Sequence, residues 1–125
     1  MSVTNEERLA AQPVLPQLGL TPAATPNLPP ELRDALLAYV QVWGAPEEML
    51  ELVAALREIH GPLLFLLDHQ AQALQRLGRY DEALEVIERR QRRSTSAATQ
   101  IREAQVLLAA GDTQQARRAA LELRQ

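Results

Sequence analysis

Three of the chain's five glycines fall at Gly44, Gly78 and Gly111, spaced 34 and then 33 residues apart. The same spacing relates Leu37, Ala71 and Ala104 upstream of them, and Val40, Leu74 and Leu107 alongside. Downstream it relates Met49, Ala83 and Ala116. A period of this length marks a repeated two-element unit. Each unit is too small to bury its apolar face alone, so it must stack on its neighbours.

The period within each unit is helical. From Pro29 onward apolar residues recur at i, i+3, i+4 and i+7, which places them on one side of an α-helix. Short breaks delimit six helices. These are Pro30 to Trp43, Pro46 to about Ile59, Leu63 to Leu77, a helix capped by Asp81 and running to about Arg93, Ala97 to Ala110, and Thr113 to about Leu123. Gly44-Ala45, Gly61-Pro62, Gly78-Arg79-Tyr80, Ser94-Thr95-Ser96 and Gly111-Asp112 separate them. Pro30 suits a first helical turn, and the hydroxyls of residues 94–96 suit a cap. Composition points the same way. Ala and Leu supply 20 and 22 of 125 residues, and only four residues are aromatic. That mix favours helix and is thin in strand formers.

The N-terminal region differs. Six of eight prolines lie in the first 30 residues. Thr4 and Glu7 fit a capping box, which predicts a short helix from Thr4 to about Gln12. From Pro13 to Asn27 the chain is uncharged, and its proline spacing disfavours regular helix. Two readings follow, an extended polyproline-like arm and a flexible one. The chain thus divides into an arm, residues 1–29, and three repeats at about 30–62, 63–96 and 97–125.

Several function classes drop out. With no Cys there are no disulfides, thiolate nucleophiles or Cys-based metal sites. All 13 basic residues are Arg, in keeping with a G+C-rich, bacterial coding bias, and the net charge of −3 gives no general reason to bind nucleic acid. The Glu6-Glu7 pair stands where a secretory signal would be basic. The longest apolar run, Leu63 to Leu67, is far short of the roughly 20 residues a membrane span needs. A cytoplasmic protein is expected. His60 and His69 are nine residues apart across a helix break, which is not metal-site spacing. There is no Gly-rich phosphate loop, nucleophile elbow or HExxH motif. No cofactor and no catalysis are expected.

"LGRYDEAL" at Leu77–Leu84 is similar to the turn between the two helices of a tetratricopeptide repeat. Gly78 matches the turn glycine, Tyr80 the aromatic after it, and Ala71 and Ala83 the small residues where the helices cross. "LLAAGDTQQA" at Leu107–Ala116 resembles the same turn, with Ala104 and Ala116 at the small positions. "VQVWGAPEEML" at Val40–Leu50 is a third copy with Leu37 and Met49 at those positions, so its helices are expected to pack further apart. The resemblance covers about Pro30 to Gln125. An unrelated antiparallel helical bundle with glycine turns is the other reading of these residues.

What the resemblance implies is an all-α solenoid of three antiparallel helix pairs. The first helix of each pair would line a concave groove that binds a peptide or partner protein, as an adaptor or chaperone-like module does. The groove positions would include Phe65, Asp68, Gln72, Gln75, Arg76, Arg102, Gln105 and Leu108. A clamp for a terminal carboxylate, as some members have, is not expected. Asp68 and Gln72 stand where its Lys and Asn would be, and an Asp repels a carboxylate.

Arg89, Arg90, Arg92 and Arg93 form the one dense basic cluster. It suggests a helical regulator contacting nucleic acid or an acidic partner as the alternative function. Its simpler role is to close a helix at the negative end of the dipole, with Glu85–Arg89 and Glu88–Arg92 pairs along the face. Arg92-Arg93-Ser94 also fits a basic kinase site, although Ser94 suits a turn. Tyr39 and Trp43, one turn apart, are expected in the core, or else as an exposed anchor for a partner. Self-association is expected at the terminal helix, where Ala116, Ala119, Ala120 and Leu123 form an apolar face. The arm, through Val14, Leu15, Leu18 and Leu20, is a second candidate to lie in the groove of its own or a neighbouring chain.

Overall fold

The computed structural model describes residues 13–122; the expected helix Thr4–Gln12 and Leu123 lie outside them. Among the described residues the structure is all-helical. It runs α1 (Val14–Gln17), a 3-10 turn (Pro22–Asn27), α2 (Pro30–Trp43), α3 (Pro46–His60), α4 (Leu64–Arg76), α5 (Tyr80–Arg93), α6 (Ala97–Ala109) and α7 (Thr113–Glu122). The six long helices match their expected ends to within a residue or so. Asp81 is not a cap, however. It sits inside the first turn of α5, after Tyr80.

Helix ends follow local chemistry. Gly78 and Gly111 take positive φ, 76° and 89°, a backbone region open to glycine without a Cβ clash. Around Gly78, Arg79 N–H reaches Leu74 O and Gly78 N–H reaches Gln75 O. Around Gly111, Asp112 N–H reaches Leu107 O and Gly111 N–H reaches Leu108 O. Both are Schellman closures, which satisfy the carbonyls a helix end leaves orphaned. Ser96 caps α6 by accepting from Thr99 N–H at 3.2 Å. Asp112 caps α7 by accepting from Gln115 N–H at 3.1 Å.

Each long helix packs chiefly on its neighbours in sequence, so the helices associate in neighbouring pairs. The expected crossing residues are at the contacts. Ala71, Ala83 and Ala116 are buried, and Ala104 packs against the last cluster. Leu37 and Met49 are buried too, but α2 and α3 touch much less closely than α4 and α5. Three apolar clusters follow one another along the chain. The first joins Leu36, Leu37, Val40, Met49, Leu52, Val53 and Leu56 to Leu66 and Ala73 of α4. The second centres on Leu67, Leu74, Ile87 and Val106. The third is only Leu107, Ala116 and Ala119, with Leu84 and Ala104 at its edge.

From Pro13 on, the arm is neither polyproline-like nor detached. Val14 and Leu15 belong to the first core cluster, and the 3-10 turn packs on α3. The reason is a carboxylate 34 residues away. Glu48 is buried, and its two oxygens accept Val14 N–H at 2.8 Å and Leu15 N–H at 2.9 Å. The next residue, Pro16, has no N–H to satisfy, so the prolines that forbid a long helix are compatible with this single turn. Gly19, at φ 72°, then closes the turn through Leu20 N–H to Leu15 O and Gly19 N–H to Pro16 O. Buried Thr25 satisfies its hydroxyl on Pro22 O at 2.6 Å.

Candidate functional site

Period and helix geometry bring the first helices of successive pairs together. Gln41 of α2 donates to Gln72 of α4 at 2.7 Å, and Arg76 of α4 donates to Gln41 O at 3.0 Å. Arg102 of α6 donates to Asp68 O of α4 at 2.8 Å. Between α4 and α6 these contacts frame an open cavity of about 330 Å³ lined by Gln72, Gln75, Arg76, Tyr80, Arg102 and Gln105, with Ala109. Five of the eight expected groove residues therefore share one cavity, and Tyr80 joins them. Among the described residues Gln75 and Gln105 have no side-chain hydrogen-bond partner, and each guanidinium spends one of its five N–H groups.

The other three lie apart from that cavity. Asp68 is turned to α5, where its carboxylate pairs with Arg90 at 3.0 Å. Its charge is thereby partly compensated, which lessens its repulsion of an anion on this face, while Asp68 and Gln72 still stand where a clamp has Lys and Asn. Phe65 packs against the first cluster, with the Arg33 guanidinium 4.9 Å from its ring centre. Leu108 is exposed.

The basic cluster is divided by the fold. Arg90 reaches inward to Asp68 and also donates to Ser94 O. Arg93 donates to Pro62 O. Arg89 and Arg92 are exposed, and their expected pairs with Glu85 and Glu88 are not among the ion pairs of the described residues. Four arginines within five residues thus yield one, Arg90, that ties α5 to α4, one, Arg93, that reaches Pro62 O from the surface, and two more exposed ones.

His69 is half-buried on α4. Burial pushes its imidazole below the ordinary value of 6.5, and nearby Arg102 pushes the same way; Asp68 and Asp34 oppose them. His60 is exposed and lies 3.3 Å from Pro26 O. Tyr39 and Trp43 are not core residues. The inward stripe of α2 is occupied by Leu36, Leu37 and Val40, and the two rings stack 6.4 Å apart on the outside.

Sequence reasoning missed Glu48. Its position near the start of α3 reads as ordinary N-terminal acid, and nothing local connects it to residue 14. The one available signal is Gly44, which has no need of positive φ: a Cβ there would meet Glu48 Oε1 and Val40 O, both at 2.8 Å. A second cavity, about 560 Å³, lies where the arm meets α3, walled by Leu15, Pro16, Leu20 and Pro22 with Glu47 and Glu51 at its edge.

No family model matches this chain, and no curated protein or solved structure matches it either. Among the described residues no helix is long and apolar enough to cross a membrane.

Proposed function

We propose that this chain is a non-catalytic, cytoplasmic protein-binding module. Its six long helices form a short tetratricopeptide-like stack of three pairs, and it holds an extended peptide across the first helices of the second and third pairs. The observation that carries this reading is the cavity at α4 and α6. Gln75 and Gln105 offer paired donors and acceptors of the kind a peptide backbone takes, and the cavity's two guanidiniums favour acidic side chains or a carboxylate. The buried polar groups do other work. Glu48, Thr25 and Thr99 are each bonded to nearby backbone or hydroxyl groups and serve the fold.

The reading through Arg89–Arg93 has less support, because Arg90 is spent on Asp68 and Arg93 is engaged at the surface by Pro62 O. Display of random peptides followed by fluorescence anisotropy tests the groove. Selected peptides are expected to be acidic, and the triple variant Gln75→Ala, Arg76→Ala, Gln105→Ala should bind them at least about tenfold more weakly, roughly 1.4 kcal/mol, with helix content unchanged. A display that yields no binders, or binders indifferent to the variant, refutes it.

A further inference from the structure

The two ends of the helix array carry the two halves of the interface by which its own pairs meet. Tyr39, Ala73 and Val106 occupy one repeat position, 34 and 33 residues apart. Ala73 is buried in the cluster of the first pair, and Val106 in the cluster of the second. Tyr39 has no described pair before it and is 51% exposed. The next position repeats the pattern. Leu66 and Thr99 are 0% and 5% exposed, and their counterpart Leu32 is 54% exposed. The arm packs on α3 and leaves Leu32 and Tyr39 at the surface.

The opposite end is complementary. Gln41 contacts the next first helix through Gln72, and Gln75, one repeat on, faces Arg102 and Gln105 across the cavity. The third member of that series is Leu108, 57% exposed where a following pair would sit. Ile101, two turns earlier on α6, is also exposed.

We propose that a second copy of this chain covers these faces head to tail, α2 of one copy packing on the α6–α7 end of the next as α4 packs on the α2–α3 pair within the chain. Two observations select a second copy as the occupant. The faces are repeat equivalents of a contact the chain already makes with itself, so each has a complement on the same molecule. Charge is also polarised along the sequence. Residues 1–62 carry eight carboxylates against three arginines, and residues 63–125 carry eight against ten, a division of the net −3 into −5 and +2. Glu31 and Asp34 are exposed on α2, and Arg117 and Arg118 on α7. A heterologous contact of this kind propagates into linear chains, or closes into a ring if the rotation allows. The proposal rests on the stacked-pair reading above and is independent of what the cavity binds.

Light scattering and sedimentation equilibrium on the full chain test it. The mass should rise with concentration and fall as salt screens the opposed ends. Leu32→Arg and Leu108→Arg should each give a monomer. Mixed in equal amounts, they should give a one-to-one dimer and nothing larger, because each retains the face the other lacks. Circular dichroism checks folding, and Tyr39→Ser replaces Leu32→Arg if that variant loses helix. A monomer mass at every concentration overturns the proposal. So does assembly that survives Leu108→Arg but not Leu32→Arg, which would mean that two copies of the same face meet. The double variant Gln75→Ala, Arg76→Ala changes only α4 and lies off both faces. Loss of peptide binding with assembly intact, or the reverse, separates failure of one proposal from failure of the other.

Discussion

The first helix pair and the second are built from the same repeat positions and solve them by different means. At the turn, Gly78 is required for its dihedral, whereas Gly44 has φ −91°, which any residue adopts, and is required for space. At the crossing, Ala71 and Ala83 let α4 and α5 approach closely, whereas Leu37 and Met49 hold α2 and α3 apart. Two positions into the second helix of each pair, Glu82 is exposed and pairs with Arg79 at 2.5 Å, while its equivalent Glu48 is buried under the arm. The second pair is closed by contacts between its own helices. The first leaves room that the arm fills. Two helix pairs with equivalent spacing in sequence thus differ in side-chain size, and the larger residues of the first go with the docked arm.

The sharpest way to break this comparison is to remove the two acids. Glu48→Ala leaves two buried N–H groups without their acceptor and is expected to lower unfolding free energy by about 2–4 kcal/mol in a urea titration. Glu82→Ala removes a solvated surface pair and should leave the urea midpoint unchanged within error. Equal effects from the two would mean that the arm adds nothing to the first pair.

The glycines come next. Gly44→Ala is expected to cost about 1–3 kcal/mol, since the new Cβ overlaps backbone as well as a side chain. Gly78→Ala meets open space and should cost about 1–2 kcal/mol through φ alone. Asparagine tells the two causes apart. It tolerates the left-handed region and should rescue position 78 relative to alanine, but it is bulkier and should worsen position 44.

The smallest effect is in proton uptake and belongs to the second pair. Because burial holds His69 below 6.5, the unfolded chain binds the proton first as pH falls. Stability from neutral His69 is therefore full above that value and declines as pH drops toward the folded one. His69→Gln should flatten this slope, seen as a smaller difference between urea midpoints measured at about pH 7.5 and about pH 5.5.

What was legible in the sequence was what is decided locally. Helix ends follow from glycine, proline and hydroxyl residues acting within a turn, so Pro30–Trp43 is found where it was expected. Gln72, Gln75, Arg76, Arg102 and Gln105, the groove positions that the resemblance implies, converge on one cavity. The failures share a long-range partner. Asp68 is diverted by Arg90, 22 residues on, and the arm is organised by Glu48, 34 residues on. Tyr39 and Trp43 failed for another reason: hydrophobicity says that a residue prefers cover and does not say whether cover is present.

The Glu48 clamp also fixes an order of events during synthesis. Val14 and Leu15 leave the ribosome before the residue that holds them, and their N–H groups acquire their acceptors only once α3 has begun to form. Closing that loop has an entropic cost that the two hydrogen bonds to Glu48 and the burial of Val14 and Leu15 offset. The arm is thus made before the residue it docks on, and a nascent chain that ends before residue 48 carries an arm without that acceptor.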